Sequence, residues 1–315
     1  NGVTTGAPLA AIIANTNTRS KDYSDLKIHP RPGHADYTAS VRYDGANDIR
    51  GGGHFSGRLT ACLVFAGAVC RQILERRGIT ITANAVRVGQ ATGRELNFDM
   101  KRAILDARSA GDSVGSELEC VVTGVPAGVG GLLFGGMESR IAGMLYAIPG
   151  VKGVEFGRGF ALAEMRGSEA NDPIRLKNGH ITMASNNAGG INGGITNGMP
   201  LVFRTVLKPT PSIYKQQHTV DYIARQDADL QIKGRHDPCI ALRAAPIVEA
   251  AAALALWRVL DPRGGGLDTL RLRLDGIDRQ LVGLLVRRQE LSRDIGAYKA
   301  AHGLPVRDPE REAQV

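Results

Sequence analysis

A chain of 315 residues with 43% hydrophobic and only 5% aromatic side chains is long enough for one large core or two smaller ones, and its forty glycines lie among Val, Ile and Ala, which excludes a disordered polymer. The net charge of +8 is scattered and not interleaved with aromatics, so small acidic metabolites are expected as partners and nucleic acid is not. Four cysteines without C-x-x-C spacing read as reduced thiols of a cytoplasmic protein; no signal peptide opens the chain, and its apolar runs fall short of the roughly 18 residues a membrane span needs.

The chain opens on Asn1 rather than Met, and Leu9 to Ala14 already reads as a strand in mid-fold. Pro305 to Val315 reads as a helix only begun, so the sequence is expected to be a piece of a longer protein extending both ways. A polar loop then leads to Ile28-His29-Pro30-Arg31-Pro32-Gly33-His34-Ala35-Asp36, where two prolines hold the backbone extended and present His34 on a stiff turn. Such a histidine is catalytic or merely structural. His29, His34 and Asp36 match no zinc spacing and no second ligand cluster follows, so no metal is expected.

Arg31 to Arg58 gathers Arg31, Arg42, Arg50 and Arg58 with His34, His54 and a run of glycines, ahead of the apolar segment Leu59 to Leu74. That segment predicts a buried helix ending at Arg76-Arg77-Gly78, with cations in the last turn and glycine after it. Free N–H groups at its start, Arg58 and the bare backbone of Gly51 to Gly53 would make an anion site. A glycine-rich turn without a ligand fits the same residues, and neither the dinucleotide fingerprint nor the P-loop pattern is met.

Further on, Ile79 to Val88 alternates as a strand, Met100 to Ala110 reads as a helix, Leu118 to Val125 as a strand, Glu138 to Ile148 as a helix and Gly153 to Met165 as a strand. Without a regular βαβ cadence, an α+β layered fold is favoured over a doubly wound one. The glycine-rich Ser185 to Gly198 precedes a strand at Leu201 to Leu207 and then Lys208-Pro209-Thr210-Pro211-Ser212. Small residues there would let a flat ring approach the backbone while Lys208, Thr210 and Ser212 offer phosphate donors; a tight turn between strands is the alternative. In Gly234 to Cys239, Arg235 and Asp237 share a face of an extended segment ahead of a helix from about Pro246 to Leu260. Asp237 could take a proton there, or form only a surface ion pair.

Gly51 to Ala68 and Arg235 to Ala251 resemble two signature segments of chorismate synthase, and RPGHAD, NNAGGINGG and KPTPS stand in the matching order. The resemblance covers about residues 1 to 260 and implies a layered β-α-β sandwich of sheets around central helices, assembled as a homotetramer. It implies anti-1,4-elimination of phosphate from 5-enolpyruvylshikimate 3-phosphate to give chorismate, using reduced FMN, with NADPH as a possible reductant not expected to bind tightly. Carried over by position, His34 and Asp237 would be catalytic, His34 keeping the reduced flavin correctly protonated and Asp237 pairing with flavin N5. Arg31, Arg58 and Arg235 would clamp the substrate; His54, Phe55, Ser56, Pro149, Gly150, Gly193, Lys208, Pro209, Thr210, Pro211, Ser212 and Arg235 would contact the cofactor. The family's Gly-Glu-Ser-His-Gly-like segment and arginine-rich loop are placed ahead of Asn1.

Asp261 to Gly266 reads as a linker. Beyond it Leu270, Leu274, Ile277, Leu281, Leu284, Arg288, Leu291, Ile295 and Tyr298 form a heptad seam that demands partner helices. A coiled coil for oligomerisation fits, but a charge in the seam needs an anion, and Lys299 faces nearly the same way three turns later. The segment from 267 to 315 resembles the first helix and the start of the second in the all-helical class of chorismate mutase, which implies Arg271, Arg288, Lys299, Asp308, Arg311 and Glu312 as ligand-binding positions. The expected protein is therefore a synthase fused to a mutase segment. A tail that only oligomerises or regulates, and an inactive phosphometabolite-binding protein, stand as alternatives.

Overall fold

The structure is a computed structural model and describes residues 6–14, 25–232, 236–260 and 267–305. It divides into two compact units, Asn1–Leu260 and Asp261–Val315.

In the first unit, a 3₁₀ turn and helix α1 (Asp36–Arg42) lead through a glycine-rich 3₁₀ segment, Arg50–Phe55, to α2 (Thr60–Glu75). Then come β1 (Thr80–Val88), β2 (Ala91–Thr92), α3 (Phe98–Ser109), β3 (Ser116–Thr123), α4 (Met137–Tyr146), β4 (Val151–Phe156), α5 (Gly167–Ala170) and the hairpin β5 (Ile174–Lys177) and β6 (His180–Met183). The short pair β7 (Ile191–Asn192) and β8 (Ile195–Thr196), β9 (Leu201–Leu207), the hairpin β10 (Gln217–Asp221) and β11 (Gln226–Leu230), and α6 (Ala241–Leu260) complete it.

The main sheet is antiparallel, five strands in the order β2-β1-β3-β9-β4. Alternation decides its faces: Ile81, Ala83, Ala85 and Val88 of β1, Leu118, Cys120 and Val122 of β3, and Leu201, Phe203 and Leu207 of β9 are buried against the helices. A bulge between Ala85 and Arg87 resets the parity of β1, so Val88 still points inward while Arg87 joins Glu117 on the outer face. Arg204 extends that outer ladder to Glu155 at 2.7 Å.

Helix α6 is the centre of the core, with Ala250 to Ala253, Ala255 and Leu256 buried against α2, α4 and the sheet. It begins at Ala241, five residues before the expected Pro246 start, which leaves Pro246 inside the helix. The carbonyl that Pro246 deprives of an N–H belongs to Leu242, an exposed residue that water can serve.

Four other expectations are corrected. Helix α2 buries only one stripe, Thr60, Gly67, Cys70 and Leu74, while Leu59 at its start and Phe65 on its other face are exposed. Extended to Gly57–Glu75 it reaches 19 residues of mean hydropathy 1.3, long and apolar enough by length and composition to cross a membrane, and more than the sixteen residues counted in the sequence. Leu9 to Ala14 forms no strand, because no described strand pairs with it, and Ile12 is 96% exposed. Gly153 to Met165 is a strand only to Phe156; Gly157 and Gly159, both at positive φ, turn it into a 3₁₀ helix at Gly159–Glu164.

The second unit contains α7 (Leu267–Ala301), a single 35-residue helix. Leu274, Leu281, Leu284, Leu291, Ile295 and Tyr298 of its seam are all exposed, and so is Arg288, because no described residue of this unit covers them. Arg271 lies in the helix, while the linker 261–266 and Asp308, Arg311 and Glu312 fall outside the described residues.

Candidate active site

Segments far apart in sequence meet at a cavity of about 580 Å³, within the range of ligand sites. Its wall brings together Arg31, Gly33, His34 and Ala35 from the turn before α1, His54 to Arg58 from the start of α2, Tyr146 to Lys152 between α4 and β4, Lys208 to Ser212 after β9, and His236 with Ile240 before α6.

Local chemistry builds each part. Gly52, at φ +84, keeps the wall open: a β-carbon there would lie 3.4 Å from Ser56 Cβ and 3.8 Å from His34 Nε2. The Ser56 side chain accepts from the Arg58 backbone N–H, turning the chain into the helical segment that carries Arg58 to the cavity. Opposite, the Lys208 ammonium donates to the Gly33 carbonyl and ties the loop after β9 to the histidine turn. Burial pushes the Lys208 pKa down, and the charge of Lys152 adds to it. Two lysines thus face one wall, a state that a bound anion relieves. Thr210 contributes a buried hydroxyl with no hydrogen-bond partner among the described residues, which needs an acceptor or donor from elsewhere.

The histidine turn is the most tightly bonded part. The Arg31 guanidinium donates to Asp36 through Nε at 2.7 Å and Nη2 at 2.8 Å, and through Nη1 to the Ser212 hydroxyl at 3.3 Å. His34 Nδ1 lies 2.6 Å from Asp36 Oδ1. Burial alone would push the Asp36 carboxyl up, yet the hydrogen bonds from Arg31 and His34, with their charge, outweigh it and hold the group well below the usual carboxylate range. His29 does not join this cluster; it pairs with Asp25 at 3.0 Å and Asp221 at 3.5 Å.

The cavity therefore gathers Arg31, His34, His54, Phe55, Ser56, Arg58, Pro149, Gly150 and Lys208 to Ser212 from the sequence reading. Two candidates sit elsewhere. Gly193 lies in the β7–β8 turn with nothing within 4 Å of where a β-carbon would stand, its neighbour Gly194 being the one packed on Gly131 and Gly136, and Asp237 is half exposed, 3.1 Å from Arg243, one residue from the lining His236. Arg235 lies outside the described residues. Lys152, Tyr146, Ile148 and Ile240 line the wall without having been singled out.

Fold and cavity define an α+β enzyme with a cationic cleft suited to a phosphorylated or carboxylated ligand. The family model for chorismate synthase matches residues 1–260, and that for chorismate mutase type II matches residues 270–315. A chorismate synthase of Thermococcus gammatolerans is 47% identical over 274 residues, covering 81% of this chain and 77% of that protein. One from Chitinophaga pinensis is 48% identical over 256 residues, covering 81% and 74%. A crystal structure of chorismate synthase superposes with a TM-score of 0.59 at 27% identity, over 78% of this chain and 76% of that one. The chain belongs to the chorismate synthase family, with a chorismate mutase type II segment fused behind it.

Proposed function

We propose that the cavity binds reduced FMN together with 5-enolpyruvylshikimate 3-phosphate and eliminates phosphate from it in the anti-1,4 sense to give chorismate. One observation carries this reading: cations from four separate segments converge on one cavity of about 580 Å³, with Thr210 in its wall. Lys208 to Ser212, with Lys152, would hold the flavin phosphate. His54 to Ser56 and the Pro149-Gly150 turn would border the ring, and Arg58 would meet the substrate's anionic groups as a fork suited to phosphate and carboxylate. When bound, the reduced flavin supplies electron density to the allylic system as phosphate leaves. His34 offers Nε2 toward the cavity as the point where a proton is taken up and returned, and Asp237 is the acceptor for the substrate proton once a ligand draws it from Arg243.

The mutase segment favours a second activity, chorismate to prephenate, with Arg271, Arg288 and Lys299 on α7 and Asp308, Arg311 and Glu312 beyond it as ligand positions. Residues 261–266 serve as the linker between the two units. A homotetramer is supported by exposed apolar side chains at Leu132, Leu133, Phe134 and Phe160, and a cytoplasmic setting by four free cysteines. Nucleic acid and membrane are not part of this reading.

The test is titration of the protein with FMN, then anaerobic assay of chorismate formation. Flavin fluorescence should change on binding, NADPH should bind far more weakly, and His34→Ala and Asp237→Ala should each lower turnover by roughly 10²-fold or more while flavin still binds. Tight NADPH binding without a flavin response, or near-normal turnover in both variants, defeats the reading.

A further inference from the structure

The cluster beneath His34 has a role that the substrate clamp does not describe. Asp36 is buried, its carboxylate accepts two bonds from Arg31 and the Arg31 backbone N–H at 3.0 Å, and it stays ionised. An ionised carboxylate only accepts, so the 2.6 Å contact with His34 requires the proton on Nδ1. The other ring nitrogen, Nε2, is then the one beside Gly52 in the cavity wall, 3.8 Å from where a Gly52 β-carbon would stand. Arg31 Nη2 also approaches Nδ1 at 3.0 Å, but two donors cannot share a bond, so that N–H serves Asp36 Oδ1. All three guanidinium nitrogens are thereby engaged inside the protein.

We propose that Asp36 is a positioning residue that fixes His34 in the Nδ1–H tautomer and aims Nε2 into the cavity, and that Arg31 acts by holding Asp36 rather than by gripping substrate. The pairing obeys a general rule, that the partner of one imidazole nitrogen sets the protonation of the other. A neutral His34 is then an acceptor at Nε2 and a charged one a donor there, so one ring can store and return a proton at a fixed point. Without Asp36 the ring would be free to swap tautomers and to flip. The functional part of this inference rests on the reading proposed above; the tautomer itself does not.

The decisive measurement needs neither flavin nor substrate. Long-range ¹H–¹⁵N correlation spectra of the whole protein above the imidazole titration range, with His34 assigned by its loss in His34→Gln, should show a protonated Nδ1 and an unprotonated Nε2. Asp36→Asn, which can offer an N–H to the ring, should shift His34 toward the Nε2–H form and lower kcat at least tenfold with little change in KM. Arg31→Lys, which keeps the charge but loses the fork, should likewise act on kcat. An unprotonated Nδ1 in the wild-type protein overturns the proposal even if Asp36→Asn does not fold. So does Asp36→Asn with unchanged tautomer and kcat, or Arg31→Lys that raises KM alone. The expected tautomer in a protein that neither binds FMN nor forms chorismate would sustain the positioning role and defeat the assigned reaction instead.

Discussion

Gly67 of α2 lies against Ala250 of α6 with no space between them: a β-carbon at Gly67 would overlap Ala250 Cα and Cβ and come within 2.9 Å of its carbonyl oxygen. The two helices cross at the closest approach their backbones permit, and Glu249 beside the crossing binds Arg71 of α2 at 2.6 Å and the Ala83 N–H of β1 at 2.9 Å. Because α2 begins at the cavity wall, this crossing sets where His54 to Arg58 stand.

Gly67→Ala should therefore destabilise the protein by about 1–3 kcal/mol through overpacking and also weaken flavin binding, since α2 must move. Ala68→Ser, one residue away and exposed, is the control. Thermal melts and flavin titration check this, and an unchanged melting temperature would show that the helices can separate at no cost.

Acid should undo the histidine turn. The Asp36 pKa is lowered on folding, so the unfolded chain binds a proton at Asp36 before the native state does. The stabilisation is then fully present above about pH 4, the ordinary carboxylate range, and lost as pH falls below it toward the folded value. Urea midpoints at pH 5 and pH 3 should differ more in the wild-type protein than in Asp36→Asn; equal differences would mean that Asp36 is not coupled to folding.

Thr210→Val should act with opposite signs on the two states. Removing a buried, unpartnered hydroxyl relieves a cost of about 1–3 kcal/mol in the ligand-free protein, so the apoprotein should melt at the same temperature or higher. Flavin affinity should fall, because the ligand loses its partner. Lys208→Met should lower both, losing the tie to Gly33 and a charge for the phosphate. An apoprotein destabilised by Thr210→Val would mean that the hydroxyl already has a partner.

The tail makes its own prediction. Arg288 interrupts an otherwise apolar seam whose described side chains, Leu274 to Tyr298, are exposed on α7. If the seam only joins helices, Arg288→Leu should strengthen self-association and leave ligands alone. If the segment belongs to a mutase site, the variant should abolish prephenate formation while chorismate formation continues, and this is the expected outcome. Prephenate production by Arg288→Leu would reduce the tail to an assembly device.

Periodicity carried most of the scaffold into view. The alternation of Ile79 to Val88 and of Leu201 to Leu207 appears as β1 and β9, and the Phe98–Ser109 helix follows its Asn97 cap. What local pattern could not show was pairing: Leu9 to Ala14 reads as a strand but has no described neighbour, and α2 reads as buried all round because composition does not say which face meets α6. At the site, residue type was enough to nominate His34, Arg58 and Lys208. The role of Asp36 was hidden because its partner stands only two residues away, and a carboxylate so near a histidine on a loop was weighed as a metal ligand instead. Lys152 escaped because a lone lysine in a strand carries no chemical spacing.

The bonds that close the cavity also fix when it can exist. Lys208 reaches Gly33 across 175 residues and Arg31 reaches Ser212 across 181, so neither can form until the strands and helices between have closed a very long loop. During synthesis the histidine turn leaves the ribosome long before the loop that completes it. The nascent chain thus lacks the closed cavity, and the flavin capture proposed above would come as the last event of folding rather than its seed. Under the proposed function, a destabilising change anywhere in β1 to β9 should consequently show first as a loss of flavin binding, and the flavin signal would then report on global order.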